Sequence, residues 1–183
     1  MIKAIIFDFY GVIYSDELWN YIAEHSDALQ SDSDDVNLGH TNWEAFRKTI
    51  ATKMQMPVQQ VEDMFAKSNI NRQLIGKIHQ LSQRYKIGLL TDANRAHIEP
   101  LLNQLGVDTV FDAVAVSSDS GHVKPDPFAY QAVCKKLEVE PEEAVFIDDL
   151  NRNVVGAREI GMQAILYKDF NQFSKELEVL LAG

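Results

Sequence analysis

The sequence predicts an α/β protein built on a doubly wound, mainly parallel, Rossmann-like sheet, with a helical cap inserted in it. Three features carry that prediction. Short runs of consecutive apolar residues recur along the chain, as strands buried on both faces require. Segments with apolar residues three or four apart lie between those runs, which calls for right-handed helical crossovers on both faces of the sheet. Between the first two runs, residues 15–83 hold helical patterns and no convincing strand.

In chain order, residues 2–9 form the first strand, with Ile, Ala and Phe on both faces. ELWNYIAEHSDAL and NWEAFRKTIATKM follow as amphipathic helices, joined by the turn-rich connector QSDSDDVNLGHTN. Pro57 opens a third helix, VQQVEDMFAKS, and RQLIGKIHQLSQR aligns Leu74, Ile78 and Leu81 on one side as a fourth. Strands are expected at residues 85–91, 110–116, 144–147 and 163–167, and helices at 96–105, 127–137, 153–160 and 172–181. The core domain is then residues 1–14 and 84–183, and residues 15–83 are the cap, whose last helix returns the chain to the sheet. An insert leaving the carboxyl end of a strand lies over the crevice where open α/β sheets bind ligands.

A chain of 183 residues with 46% hydrophobic and 24% charged residues is ordinary for a folded globular protein. Its 17 basic and 27 acidic side chains give a net charge of -10 without basic clusters, which opposes nucleic-acid and anionic-membrane surfaces. The first apolar run is too short for a signal peptide or a membrane span. The expected compartment is the cytoplasm, and the expected state a monomer or homodimer. Cys134, the single cysteine, lies at an apolar helical position and reads as packing.

Acidic residues stand at the ends of the runs: Asp8 after the first, Thr91 and Asp92 after the second, Asp148 and Asp149 after the fourth. In a parallel sheet these ends converge, and two unit charges about 4 Å apart repel by about 4 kcal/mol at an effective dielectric near 20. A hard divalent cation relieves this, and Mg2+ suits a few carboxylates, water and a phosphate oxygen. Lys124, in HVKPDPFAY, is presented by a turn that Pro125 and Pro127 stiffen, and adds a positive charge.

These motifs resemble those of the haloacid dehalogenase superfamily of aspartate-nucleophile hydrolases: FDFYGVI, LLTDAN, KPDPFAY and FIDDLNRNVVGAREIGM, in that order, with a cap between the first two. The resemblance implies that Asp8 attacks phosphorus, that Thr91 and the backbone at Asp92 hold phosphate oxygens, and that Lys124 bridges nucleophile and phosphoryl group. It also implies that Asp8, Asp149, Asp148 and the Tyr10 carbonyl surround magnesium. Asn94 is either a substrate contact or an Asx turn. Asn153 is expected to cap a helix opening at Val154 while its amide holds the acidic loop.

In phosphatases similar to this chain, the position of Tyr10 is usually an aspartate acid/base. A phenol donates a proton at neutral pH but activates water poorly. The pattern Asp-x-Tyr-Gly resembles the 2-haloacid dehalogenases, whose fourth motif, however, reads Ser-Ser-Asn and lacks a metal; here Asp148 and Asp149 stand instead. The expected activity is therefore a magnesium-dependent phosphomonoester hydrolase acting on a small phosphorylated metabolite. Dehalogenation and a silent phosphate- or metal-binding protein are the alternatives. Asp16 or Glu17 could supply a substitute proton. Arg47, Lys48, Lys53 and Arg72 read as solvated charges, Trp19, Trp43 and Phe46 as packing or pocket lining, and Tyr130 as core.

Overall fold

A computed structural model describes residues 1–182. The chain runs through β1 (Ala4–Phe7), β2 (Tyr14–Asp16), α1 (Glu17–Glu24), α2 (Ser26–Asn37), α3 (Trp43–Lys53), α4 (Val58–Ala66), β3 (Ser68–Ile70) and α5 (Arg72–Leu81). It continues through β4 (Lys86–Thr91), α6 (Arg95–Leu105), β5 (Ala113–Val116), the single turn α7 (Ser117–Ser120) and α8 (Pro127–Leu137). The last elements are β6 (Ala144–Asp148), α9 (Asn151–Glu159), β7 (Gln163–Leu166) and α10 (Phe170–Ala182). Five strands form one parallel sheet in the order β5-β4-β1-β6-β7.

The central strand β1 is buried on both sides, so its alternating side chains feed two cores. Ile5 and Phe7 pack with Leu74 and Ile78 of α5, Ile98 of α6 and Phe173 of α10. Ala4 and Ile6 face the opposite side, with Val133, Cys134 and Leu137 of α8 and Val154 of α9. This is the doubly wound α/β arrangement expected from the apolar runs. It brings the carboxyl ends of β1, β4 and β6 side by side.

The interval expected to lack strands contains two. β2 and β3 pair antiparallel as a short ribbon, Tyr14 opposite Ile70 and Asp16 opposite Ser68, at the two crossings between sheet and insert. Three residues per strand are too few for an alternation to show. The predicted first helix also breaks at His25, so that α1 ends there and α2 begins.

Most of the expected connector QSDSDDVN is the body of α2. Its Ser, Asp and Asn residues each cost about 0.5–0.7 kcal/mol against alanine in a helix. Burial of Leu29 and Val36 offsets this by roughly 2 kcal/mol each, so packing and not propensity holds α2 helical. With Leu18, Phe46, Ile50 and Val61 they form the insert's own apolar cluster. Leu74, Ile78 and Leu81 of α5 join the sheet's core instead, so the fourth helix of the expected cap packs as a crossover. Among the described residues no helix is long and apolar enough to cross a membrane.

Candidate active site

β1 delivers Asp8 to the sheet's carboxyl edge, where its N–H donates to Ile147 O at 2.9 Å. Its Oδ1 accepts from Phe9 N at 2.7 Å and lies 2.8 Å from Lys124 Nζ. Lys124 also donates to Asp148 Oδ2 at 2.9 Å, and its own N–H donates to Asp92 Oδ1 at 3.0 Å. Asp8, Lys124 and Asp148 are all buried. Burial raises the Asp8 carboxyl well above its usual range; Lys124 opposes this, and Asp148 and Asp149 reinforce it. Desolvation pulls the Lys124 ammonium down, but Asp148, Asp8 and Asp92 outweigh it and the net shift is upward. The lysine is charged and fixed.

Asp148 is heavily bonded. Its Oδ1 accepts from Leu150 N at 2.8 Å, its Oδ2 accepts from Lys124 at 2.9 Å, and Asn153 Nδ2 lies 3.1 and 3.0 Å from the two oxygens. Oxygens of Asp8, Asp148 and Asp149 all lie within 4.8 Å of one another, so the three could share a cation, with Asp8 and Asp149 the less engaged pair. Burial, then the Asp148 charge, lifts Asp149 to about 6. A buried, mutually repelling carboxylate pair of this kind fits a hard divalent cation. Gly11 permits the approach: at φ +81° it favours glycine, and a Cβ there would stand 2.2 Å from Asp149 Oδ2.

Tyr10 lies over this cluster with its ring among Phe9, Tyr14 and Trp19. Its hydroxyl is buried without a hydrogen-bond partner, and burial, then the Asp16 charge, raises its pKa well above the usual value. Thr91 Oγ1 is likewise buried and unpartnered at the end of β4, as a group awaiting an acceptor oxygen would be. Asp92 is lifted to about 6, mainly by burial, and anchors the lysine turn.

One open choice is decided and one expected role changes. Asn94 makes the Asx turn that caps α6, its Oδ1 accepting from Ala96 N at 2.9 Å, and is not among the residues lining the active-site cavity. Asn153 does not cap its helix, because α9 opens at Asn151 and Asn153 lies inside it; the amide holds Asp148. Asp16 is buried, caps α1 through Trp19 N at 2.8 Å, and is lifted to about 6 by burial. Glu17 is exposed and pairs with Lys67 at 2.9 Å. Lys48 pairs with Glu44 and Lys53 with Asp32, while Arg72 lines a groove behind the ribbon. Arg47 lies near His97, whose pKa burial and Arg47 push down to about 4; the His97 ring centroid is 4.4 Å from Trp43's. Phe46 packs within the insert, Trp43 packs between the insert and His97 of α6, and Trp19 reaches the cavity. Tyr130 is core, its hydroxyl donating to Asn153 O at 2.9 Å.

Above Asp8 is a cavity of about 390 Å³ between core and insert. Its roof comes from α2: Gln30, Ser33, Asp34 and Asn37, none of which sequence reasoning singled out. Their spacing of three, four and seven residues was the available signal, on the face adjoining that of Leu29 and Val36.

Known proteins share this fold. A Porphyromonas gingivalis structure described as a predicted HAD-like family hydrolase superposes with a TM-score of 0.76 at 23% identity, covering 100% of this chain and 99% of that one. A HAD family enzyme of Bacteroides thetaiotaomicron, crystallised with magnesium and inorganic phosphate, gives 0.71 at 21% identity, over 92% and 95%. The L-2-haloacid dehalogenase of Xanthobacter autotrophicus gives 0.71 at 20%, over 98% and 83%. These likenesses establish the fold. In sequence, validoxylamine A 7'-phosphate phosphatase of Streptomyces hygroscopicus subsp. limoneus is 33% identical over 86 residues, 46% of this chain and 40% of that protein. Pyrophosphatase PpaX of Bacillus mycoides is 34% identical over 83 residues, 45% and 39%. The matched segment thus spans about two fifths of these relatives. Residues 2–161 match one family throughout, strand ends, lysine turn and insert included, and the chain belongs to the haloacid dehalogenase-like hydrolases.

Proposed function

We propose that this hydrolase is a magnesium-dependent phosphomonoesterase that works through a phospho-aspartate on Asp8. The observation that carries the reading is the buried Asp8–Lys124–Asp148 chain, which holds Asp8 by one oxygen. Among the described residues Asp8 Oδ2 has no hydrogen-bond partner, and Asp8 lines the cavity. Asp8, Asp149 and the Tyr10 carbonyl would hold magnesium, which when bound neutralises phosphoryl oxygens.

Asp8 forms a bond to phosphorus as the ester P–O bond breaks, and the leaving alkoxide takes up a proton. Water then opens the acyl phosphate at phosphorus, releasing inorganic phosphate and regenerating Asp8. Lys124 offsets the charge on the transferring group throughout. The raised Tyr10 phenol stays protonated, so it serves as a donor and not as a base. Turnover of alkyl phosphates should accordingly be slow, and substrates with acidic leaving groups should react faster.

A magnesium-dependent screen of p-nitrophenyl phosphate, acetyl phosphate and alkyl phosphates with wild type, D8N and Y10D tests this. Phosphate release lost in D8N supports it; release that survives D8N removes Asp8 from the mechanism. Tyr10 also favours a second reading, 2-haloacid dehalogenation, which chloride release from 2-chloropropionate by a metal-free enzyme would establish. No turnover of any of these would leave a binding protein.

A further inference from the structure

We propose that His97 is a pH-sensitive latch between core and insert: its neutral ring, seated against Trp43 and Phe65, holds the insert down over the Asp8 cavity, and protonation lets the insert lift. His97 stands in the first turn of α6 in the core, whereas Trp43 opens α3 and Phe65 lies near the end of α4 in the insert. The three rings form one cluster across the seam. Their centroids are 4.4 Å apart for Trp43 and His97, 5.6 Å for Phe65 and His97, and 5.6 Å for Trp43 and Phe65. The latch works whichever reaction Asp8 performs.

The seam suits a neutral imidazole and opposes a charged one. His97 Nε2 is buried without a hydrogen-bond partner, and so are Trp43 Nε1 and Arg47 Nε on the insert's side. An imidazolium must donate from both ring nitrogens, and among the described residues no carboxylate pairs with the His97 ring. Arg47 of α3 adds a like charge. The carboxylates of the helices that meet here are engaged elsewhere. Glu62 of α4 lies 3.9 Å from Arg47, Glu44 of α3 pairs with Lys48, and Asp63 of α4 accepts from Gln59. On α6 itself Arg95 pairs with Asp119, and Glu99 is exposed. Burial, then Arg47, pushes His97 from 6.5 down to about 4 while the seam is closed.

Two further ties cross the seam, and neither titrates in this range. Ser117 Oγ donates to Asn37 O at 2.7 Å, and Arg152 donates to Gln30 Oε1 at 3.1 Å. The ribbon of β2 and β3 carries the chain into and out of the insert and gives it two short crossings on which to turn. A lifted insert exposes His97 and returns it to its ordinary 6.5. Closure is therefore fully favoured above about pH 6.5, weakens as pH falls, and is weakest below about pH 4. Between about pH 7.5 and 5 the ratio of open to closed insert should rise roughly 25-fold. The cavity carboxylates act with the opposite sign, since burial favours the protonated forms of Asp92 and Asp149.

The test is energy transfer between dyes attached to the cysteines of Q59C in α4 and K175C in α10, in C134S protein with magnesium. Acrylamide quenching of the two tryptophans, Trp19 and Trp43, both in the insert, is followed alongside. H97F keeps a ring in the seat and cannot titrate, and H97K places a fixed charge there. As pH falls from about 7.5 to 5, the dyes should move apart reversibly and the quenching constant should at least double. H97F should show neither change, and H97K should be open already at neutral pH. A His97 protein that stays closed, the same change in H97F, or a folded H97K that stays closed would overturn the latch. If H97K does not fold, the comparison of His97 with H97F decides alone.

Discussion

Asp148 Oδ2 holds the Lys124 ammonium at 2.9 Å while Asp8 Oδ1 lies 2.8 Å from the same nitrogen. Because Asp148 is fully buried and its other bonds run to Asn153 and Leu150, its task is to aim the lysine. D148A should destabilise the protein by about 3 kcal/mol, the lower end for breaking a buried pair, since Asp8 still partners the lysine. D148N should lower kcat about 10- to 100-fold with a smaller loss of stability. Urea melts and steady-state kinetics on the same preparations check both.

Tyr10 separates packing from chemistry. Its hydroxyl is buried and unpaired, so Y10F should leave stability unchanged or raise it by up to about 1 kcal/mol. If the phenol is the proton donor, Y10F should slow alkyl phosphates most. Y10D should speed alkyl phosphates by roughly 10- to 1,000-fold and lower stability by about 1–3 kcal/mol, because the aromatic contacts are lost. Thermal melts and a leaving-group series provide the readout.

Gly11 makes room for Asp149. G11A adds a strained left-handed residue, costing about 1–2 kcal/mol, and displaces the carboxylate. Its main signature should be loss of the rise in melting temperature that magnesium gives wild type. A retained rise would remove Asp149 from the metal site.

Asp16 should make stability depend on pH. Burial lifts it from the usual 3.8 to about 6, so the folded state prefers its protonated form. Its contribution is fully present below the unfolded pKa and is lost as pH rises through about 6. D16N keeps a competent helix cap and does not titrate. Between about pH 4.5 and 7.5, wild type should therefore lose up to about 2 kcal/mol relative to D16N, measurable by denaturant melts.

The sheet and the charged centre were legible in the sequence for a common physical reason. Buried parallel strands write themselves as apolar runs, and Asp8, Asp148 and Asp149 stand where those runs stop; Lys124 was marked by its two prolines. What escaped were features set by tertiary contact. Asn94 and Asn153 share a residue type and a loop-like setting, and only the packed positions of α6 and α9 decide which one caps and which one holds a carboxylate. The polar face of α2 reads as a connector because its helical state depends on Leu29 and Val36 finding the insert's cluster. A polar helix face over a cavity looks like solvent-facing chain until the fold shows what lies against it.

Cys134 gives the protein a clock. The thiol is 3% exposed within the α8 layer, and burial pushes its pKa up to about 11, so it is closed to reagents while the fold is closed. It is the single cysteine of the chain. Its rate of labelling by an excess of a thiol reagent therefore counts openings of the helix-covered sheet one at a time, in an unmodified sequence. Set beside the turnover rate, that count distinguishes motion of the insert, which leaves the α8 layer shut, from breathing of the domain that carries Asp8.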